Sequence, residues 1–249
     1  MWTWIIVGIV VALAVLLCFA LAVASFSFDN YKDKLEKLDS TRNSFGILTL
    51  QYVATINSKH FGGRLKLAKC REWQDHYSTG VVALSEKTMQ SNSLASLAIV
   101  SHELGHARQD ASGDTLKKHW KMRRTGRICG FFFLPLIIVG IVLSLLWVFD
   151  VLPEIYYIIA GGICFGLGIF IFIFAIILKY KEIKIEKEAS VFALVFLREF
   201  LTEQEVSLCD DLLKSARLTY WASLIRTLLS WTFLTGKDNM FRLVENNKS

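Results

Sequence analysis

Three long segments without a charged residue constrain the fold of this chain more than any other feature. Residues 2–28, 128–149 and 155–178 contain no Asp, Glu, Lys or Arg. Each spans about 20 residues or more, and a helix of that length crosses the roughly 30 Å hydrocarbon core of a membrane. Hydrophobic residues make up 53% of the chain, which has only two prolines. The sequence therefore predicts a mainly α membrane protein with three or four transmembrane helices.

The first apolar segment has two interpretations. Ala20-Leu21-Ala22 and Ala22-Val23-Ala24 resemble the cleavage sites of signal peptides. However, no basic residue precedes the segment, and it is longer than the apolar core of a typical signal peptide. We therefore favour a retained transmembrane anchor over residues 1–28.

Positive charge is concentrated beside the apolar segments. Lysines and arginines follow the first segment, precede the second and follow the third, whereas the loop at 150–154 carries only acidic charge. Basic loops remain on the cytoplasmic side of a membrane. This predicts a multi-pass protein of the plasma membrane, with residues 29–127 and 179 onward in the cytoplasm. Because the basic clusters adjoin apolar segments and lack interleaved aromatic residues, we expect membrane lipid and not nucleic acid as a partner.

The chain thus divides into four predicted regions. They are an anchor at 1–28, a cytoplasmic region at 29–127, a transmembrane helical hairpin at 128–178 and a C-terminal helical region at 179–249. The last region includes an apolar stretch at 218–235. Arg226 in its middle would cost about 2.5–3.5 kcal/mol inside a membrane, so a fourth transmembrane helix stays open. The five scattered cysteines contain no C-x-x-C pair, which predicts neither disulfides nor a thiolate metal site.

One short motif in the cytoplasmic region carries chemistry. His102-Glu103-Leu104-Gly105-His106 fits H-E-x-x-H, in which two histidines bind zinc and the glutamate is a general base for a zinc-bound water. Residues i and i+4 share one face of a helix, so both imidazoles can converge on one metal ion. The pattern predicts a helix from Asn92 to Ala111. Ser91 or Ser93 would cap its start, and Gly113 would provide a left-handed residue after its end.

Weaker patterns surround this motif. A helix capped by Asn43 or Ser44 is expected to run to about Asn57 and to end at Gly62-Gly63. Alternating residues at 64–70 and a Val- and Leu-rich run at 80–85 predict two short strands, interpreted as a small β-hairpin. A further helix is predicted at 180–201. Thr202 to Glu205 has the form of a capping box that begins another.

Two histidines leave a catalytic zinc site short of its usual third protein ligand. Gln109 and Gly113 do not supply the third histidine of the metzincin pattern, so the sequence does not favour that class. A glutamate from a second helix is the natural alternative. The predicted hairpin returns the chain to the side of the motif just before three candidates, Glu182, Glu186 and Glu188. A solvated charged helix face is the competing interpretation of this run.

A family resemblance selects among these candidates. The segments that carry it are Asp75-His76-Tyr77, Leu84-Ser85, residues 101–109, Glu186-x-x-Ala189-Ser190 and Leu218-Thr219-Tyr220. Together they resemble the YugP-like membrane zinc metallopeptidases, described as neutral zinc peptidases, over nearly the whole chain. The resemblance implies Zn²⁺ as cofactor and Glu186 as its third ligand, beside His102 and His106. A more distant similarity is to membrane gluzincins of the CAAX-protease and HtpX-like type, which have an aspartate at the position of Ser190.

These observations predict a membrane-embedded zinc metallopeptidase, specifically a metalloendopeptidase with a gluzincin-like site, acting on a peptide or protein substrate. Glu103 is the expected general base. His76, Tyr77 and Arg108 are candidates to stabilise the oxyanion by their chemistry alone, and a turn between two strands is the competing interpretation of residues 75–77. The strand at 81–84 could pair with an extended substrate.

The alternative function is a non-catalytic membrane adaptor or quality-control scaffold, with zinc structural or absent. Glu103 argues against it, because a structural zinc site does not need a general base.

Overall fold

The computed structural model describes residues 2–72, 74–113 and 115–230, which are mainly helical, as predicted. The helices are α1 (Trp2–Ser40), α2 (Thr49–Phe61), α3 (Glu86–Gln90), α4 (Leu94–Ala111), α5 (Thr115–Val148), α6 (Ile155–Leu197) and α7 (Glu203–Ser230). The strands are β1 (Lys66–Cys70), β2 (His76–Ser78) and β3 (Val81–Ser85). Within the described ranges, contacts divide the chain into two compact units, one of residues 2–116 and 185–223, the other of residues 117–184 and 224–230.

The first unit encloses a hydrophobic core around α4. Apolar side chains of α1, α2, β3, the end of α6 and α7 pack there, and Leu97 and Leu104 of α4 are fully buried among them. Burial of a large aliphatic side chain stabilises a fold by about 1.5–3 kcal/mol. The motif helix is therefore held by the core on one side while its histidine face remains available for chemistry.

The small sheet differs from the predicted hairpin. Its strand order is β1-β3-β2, and β1 pairs with β3 in parallel. The hairpin prediction is therefore wrong. The physical reason is that residues 71–79, for which no strand was predicted, contain β2, which forms the antiparallel pair with β3 through a turn at Thr79-Gly80. The interpretation of residues 75–77 as a turn is also wrong, since His76 and Tyr77 belong to β2.

The helix ends show which of the predicted capping residues occur in the structure. Ser93, one of the two predicted caps, begins α4 and accepts a hydrogen bond from the backbone N–H of Ser96. Gly62 ends α2 in the left-handed conformation with φ 61°, because glycine adopts it without a steric penalty. The predicted start of α2 is wrong. Asn43 instead holds the preceding loop by hydrogen bonds to the backbone of Ile47, and Leu48 precedes the helix.

In the second unit, α5 and the part of α6 up to Lys184 form a long hairpin. The stretches at 118–148 and 155–197 are, among the described residues, long and apolar enough to cross a membrane by length and composition. Glycines let the two backbones approach, since a Cβ on Gly140 would lie 2.6 Å from the backbone N of Phe165. Small residues have this role at helix contacts inside membranes.

Several predicted boundaries fall within continuous helices. The helix expected at 180–201 is the last part of α6, which begins at Ile155 and ends at Leu197. The anchor and the polar segment after it form the single helix α1. Thr202 and Glu205 form the predicted capping box at the start of α7. This helix continues through Leu218 to Ser230, and the rest of the possible fourth membrane helix, residues 231–235, lies outside the described residues.

Candidate metal centre

The two motif histidines face the same side of α4. Their ring centroids lie 4.8 Å apart, as expected for residues separated by one helical turn. The side chains are largely buried, with 16% of His102 and 10% of His106 exposed. The motif therefore presents two imidazoles to a nearly enclosed site.

Glu186 of α6 completes this cluster. Its Oε2 lies 3.0 Å from Nε2 of His102 and 3.4 Å from Nε2 of His106. One ligand atom of each of the three residues lies within 4.8 Å of the others. The structure thus brings together the three residues expected to bind metal, on two helices that are far apart in sequence.

The electrostatics of the cluster favour a charged carboxylate. Burial by itself would raise the pKa of Glu186, but hydrogen bonds and charge from His102 and His106 outweigh burial and hold this pKa well below its usual range. Burial likewise would lower the pKa of His106, and Glu186 outweighs it, raising this pKa to about 9. The charged form of Glu186 and the protonated form of His106 therefore stabilise each other.

A glycine inside the motif allows this close approach of α4 to α6. A Cβ built on Gly105 would lie only 2.2 Å from the carbonyl oxygen of Ala189. Ala189 is fully buried, one turn after Glu186. Small residues on both helices therefore bring the carboxylate within reach of the imidazoles.

Two further residues contact the Nδ1 atoms of the imidazoles. The hydroxyl of Ser190 lies 3.3 Å from Nδ1 of His102 and donates a 2.9 Å hydrogen bond to the carbonyl oxygen of Glu186. Its proton is thus engaged, so the hydroxyl accepts from Nδ1, and Nε2 of His102 faces Glu186. The side-chain oxygen of Gln109 lies 2.9 Å from Nδ1 of His106. Sequence reasoning noted Ser190 only as a departure and missed Gln109, because these contacts join residues far apart in the chain.

Glu103 lies beside β2. Its Oε2 accepts a 2.8 Å hydrogen bond from the backbone N–H of Tyr77. The Tyr77 hydroxyl donates to Asp110 at 2.7 Å and accepts from the backbone of Gly80. Strand β2, which was not predicted, therefore fixes the motif glutamate.

The other predicted candidates take less central positions. His76 is exposed, with Nδ1 near the carbonyl oxygen of Gln74, and Arg108 is also exposed. Asp75 accepts hydrogen bonds from Ser85 and Thr88 and so holds the end of β3. Strand β3 lies in the centre of the sheet. Its predicted pairing with a substrate is therefore wrong, because both of its edges already carry strands.

The sequence profile of one family, described as "Putative neutral zinc metallopeptidase", matches residues 5–235. The chain belongs to this family. Neither the curated proteins nor the solved structures gave a significant match.

The residues at the site fit the zinc that this family implies. Zinc in proteins is bound by imidazole nitrogens and carboxylate oxygens, commonly three in a catalytic site. His102, His106 and Glu186 offer this donor set. Ser190 and Gln109 contact the Nδ1 atoms of the two imidazoles, the arrangement that orients histidine ligands in metal sites.

Proposed function

We propose that this chain is a membrane-embedded zinc metallopeptidase with its active site at His102, Glu103, His106 and Glu186. The observation that carries the proposal is the convergence of a buried carboxylate on both imidazoles of the motif. A buried glutamate beside two histidines has little structural purpose, since replacing such an ion pair with apolar residues is often neutral or stabilising. A role as zinc ligands would explain why these three side chains are buried together.

Zinc held by Nε2 of His102, Nε2 of His106 and a carboxylate oxygen of Glu186 would lower the pKa of a bound water toward about 7 and polarise a carbonyl group. The histidines contribute neutral donors and Glu186 contributes a negative charge. Their burial excludes competing water from the site.

Glu103 is the proposed general base. Its Oε2 is engaged by Tyr77, while its other oxygen has no hydrogen-bond partner among the described residues. That oxygen can accept a proton from the attacking water and pass it to the leaving amine. The hydrogen bond from Tyr77 fixes the carboxylate, so proton transfer requires little rearrangement.

Strand β2 is the proposed binding edge for an extended substrate. The N–H of Tyr77 points to Glu103 and hence away from β3, and the carbonyl of the same residue points to the same side of a strand. A peptide added along this edge would meet the Tyr77 carbonyl close to the general base. Backbone hydrogen bonding of this kind recognises peptides with little dependence on sequence.

The membrane context belongs to the same proposal. Helices α5 and α6 have the length and composition of transmembrane helices. Basic residues are concentrated at 117–127 and 179–187, whereas Asp150 and Glu154 lie in the connection between the two helices. By the positive-inside rule, this distribution supports an active site on the cytoplasmic side of the plasma membrane. We propose α1 as a third membrane helix and lipid as the surrounding partner.

Replacement of Glu103 by Gln tests the proposed function. Glutamine keeps the size of the side chain and removes the base. We expect hydrolysis of an unfolded protein such as casein by the purified protein in detergent to fall by about 10²–10⁴-fold, with zinc content unchanged. Exposed Glu72→Gln is the matched control and should keep full activity. Zinc binding without chelator-sensitive hydrolysis in the wild type would instead support a scaffold.

A further inference from the structure

Gln109 connects the motif helix to the helix of the third proposed ligand. Its side-chain oxygen lies 2.9 Å from Nδ1 of His106. Its side-chain nitrogen donates to the carbonyl oxygen of Ile185 at 2.9 Å and to Oε2 of Glu188 at 3.1 Å. The residue is almost fully buried, with 1% of its surface exposed. These three side-chain hydrogen bonds thus go to His106 and to residues one and two positions from Glu186.

The direction of these hydrogen bonds follows from the carbonyl group. A peptide oxygen only accepts, so the side-chain nitrogen of Gln109 must face Ile185 and its oxygen must face His106. An amide oxygen also only accepts, so Nδ1 of His106 carries the proton. Consequently Nε2, the atom facing Glu186, is the nitrogen left for a metal ion.

The same side chain also sets the spacing between the helices. It joins His106 to the backbone of the residue immediately before Glu186. A shift of α6 along α4 would break the bond to Ile185 or the bond to His106. The distance between the imidazole and the carboxylate is therefore coupled to one buried amide.

We propose that Gln109 is a positioning residue that selects the Nε2 tautomer of His106 and holds Glu186 at binding distance. This inference rests on the proposed function only in taking these residues as zinc ligands. Gln109 does not touch the metal or the substrate, and it acts through His106 and α6.

Two variants at this position test the role. Gln109→Met keeps the length of the side chain and removes all three hydrogen bonds, whereas Gln109→Asn keeps the amide but is too short to reach both helices. We expect each to weaken zinc affinity by about 10–100-fold, measured by competition with a chromophoric chelator. The absorption spectrum of the Co²⁺-substituted protein should shift as well, because the geometry around the metal changes.

Ser101→Ala is the matched control. Ser101 is buried on the same helix and bonds to Tyr52 and to the backbone of Leu97, not to an imidazole. Its loss should lower the thermal stability while zinc affinity and the Co²⁺ spectrum stay as in the wild type. A general structural role for Gln109 would make the two positions behave alike.

The possible results separate this inference from the proposed function. Wild-type affinity and an unshifted Co²⁺ spectrum in Gln109→Asn, or in a folded Gln109→Met, would overturn the positioning role even if the wild type hydrolyses peptides. Zinc bound by the wild type without hydrolysis would overturn the peptidase and leave the positioning role standing if the variants weaken binding. Should Gln109→Met not fold, Gln109→Asn decides the result.

Discussion

Two glutamates one turn apart on α6 are both buried and have different partners. In the second unit, Glu182 has a side chain 6% exposed and lies 2.9 Å from both Nε of Arg123 and Nζ of Lys179, with the single imidazole of His119 3.9 Å away. In the first unit, Glu186 is 2% exposed and lies beside two imidazoles. Lysine and arginine keep their protons and have no lone pair to offer a metal, whereas neutral histidine does. The two imidazoles beside Glu186, compared with two permanent cations and one imidazole beside Glu182, distinguish the proposed metal site from an ion pair.

The largest expected effect is on zinc affinity, which should depend on Glu186 and not on Glu182. Glu186→Ala removes a ligand and should lower zinc affinity by on the order of 100-fold or more, beyond the effect of losing an outer contact. Glu182→Ala should keep zinc and lose about 1–3 kcal/mol of stability, because part of a buried ion pair is removed while Arg123 remains partly solvated. Metal analysis and thermal unfolding in detergent measure both. The opposite outcome would show that the wrong glutamate is proposed as ligand.

The next effect concerns how close Glu186 can come to the histidines. Gly105→Ala places a methyl group against the backbone of Ala189, which should cost about 1–3 kcal/mol and weaken zinc binding as the helices separate. Gly126→Ala in α5 is the control, since a Cβ there meets no atom within 4 Å. It should be neutral or stabilising by up to about 1 kcal/mol. Equal behaviour of the two variants would argue against close packing as the cause.

A pH titration tests the ion pair at Glu182. Burial would raise the pKa of this carboxyl, but His119, Lys179 and Arg123 outweigh burial and lower the pKa from 4.5 to about 2. A depressed pKa adds stability that is fully present above about pH 4.5 and is lost as the pH falls toward 2. The stability difference between the wild type and Glu182→Gln should therefore shrink over this range in acid-unfolding curves. A difference that is constant with pH would show that charge is not its source.

The smallest expected effect is that of Ser190. Ser190→Ala removes the acceptor for Nδ1 of His102 and should weaken zinc affinity by roughly tenfold, since its 3.3 Å contact is longer than that of Gln109. Ser215→Ala removes a buried hydroxyl that bonds only within α7 and serves as control. An unchanged zinc dissociation rate in Ser190→Ala would leave Gln109 as the main orienting contact.

Local signals explain which parts of the fold were predictable. The motif helix, its Ser93 cap and the end of α2 at Gly62 depend on residues within one or two turns. The pairing of β1 with β3 depends on a strand partner that follows an intervening connection. Side-chain period identifies a strand but not its neighbour, so the antiparallel hairpin was the wrong choice.

In the candidate site, too, local features were predictable from the sequence and contacts between distant segments were not. The spacing of His102 and His106 puts both on one helix face, and the apolar segments with their flanking charges predict which part of the chain returns to them. Only the tertiary structure brings Glu186, rather than Glu182 or Glu188, onto the imidazoles and places β2 beside Glu103. It also places Gln109 and Ser190 against the Nδ1 atoms of the two imidazoles. The physical reason is that a helix fixes neighbours within a turn or two, whereas contacts between α4 and α6 depend on how the whole core packs.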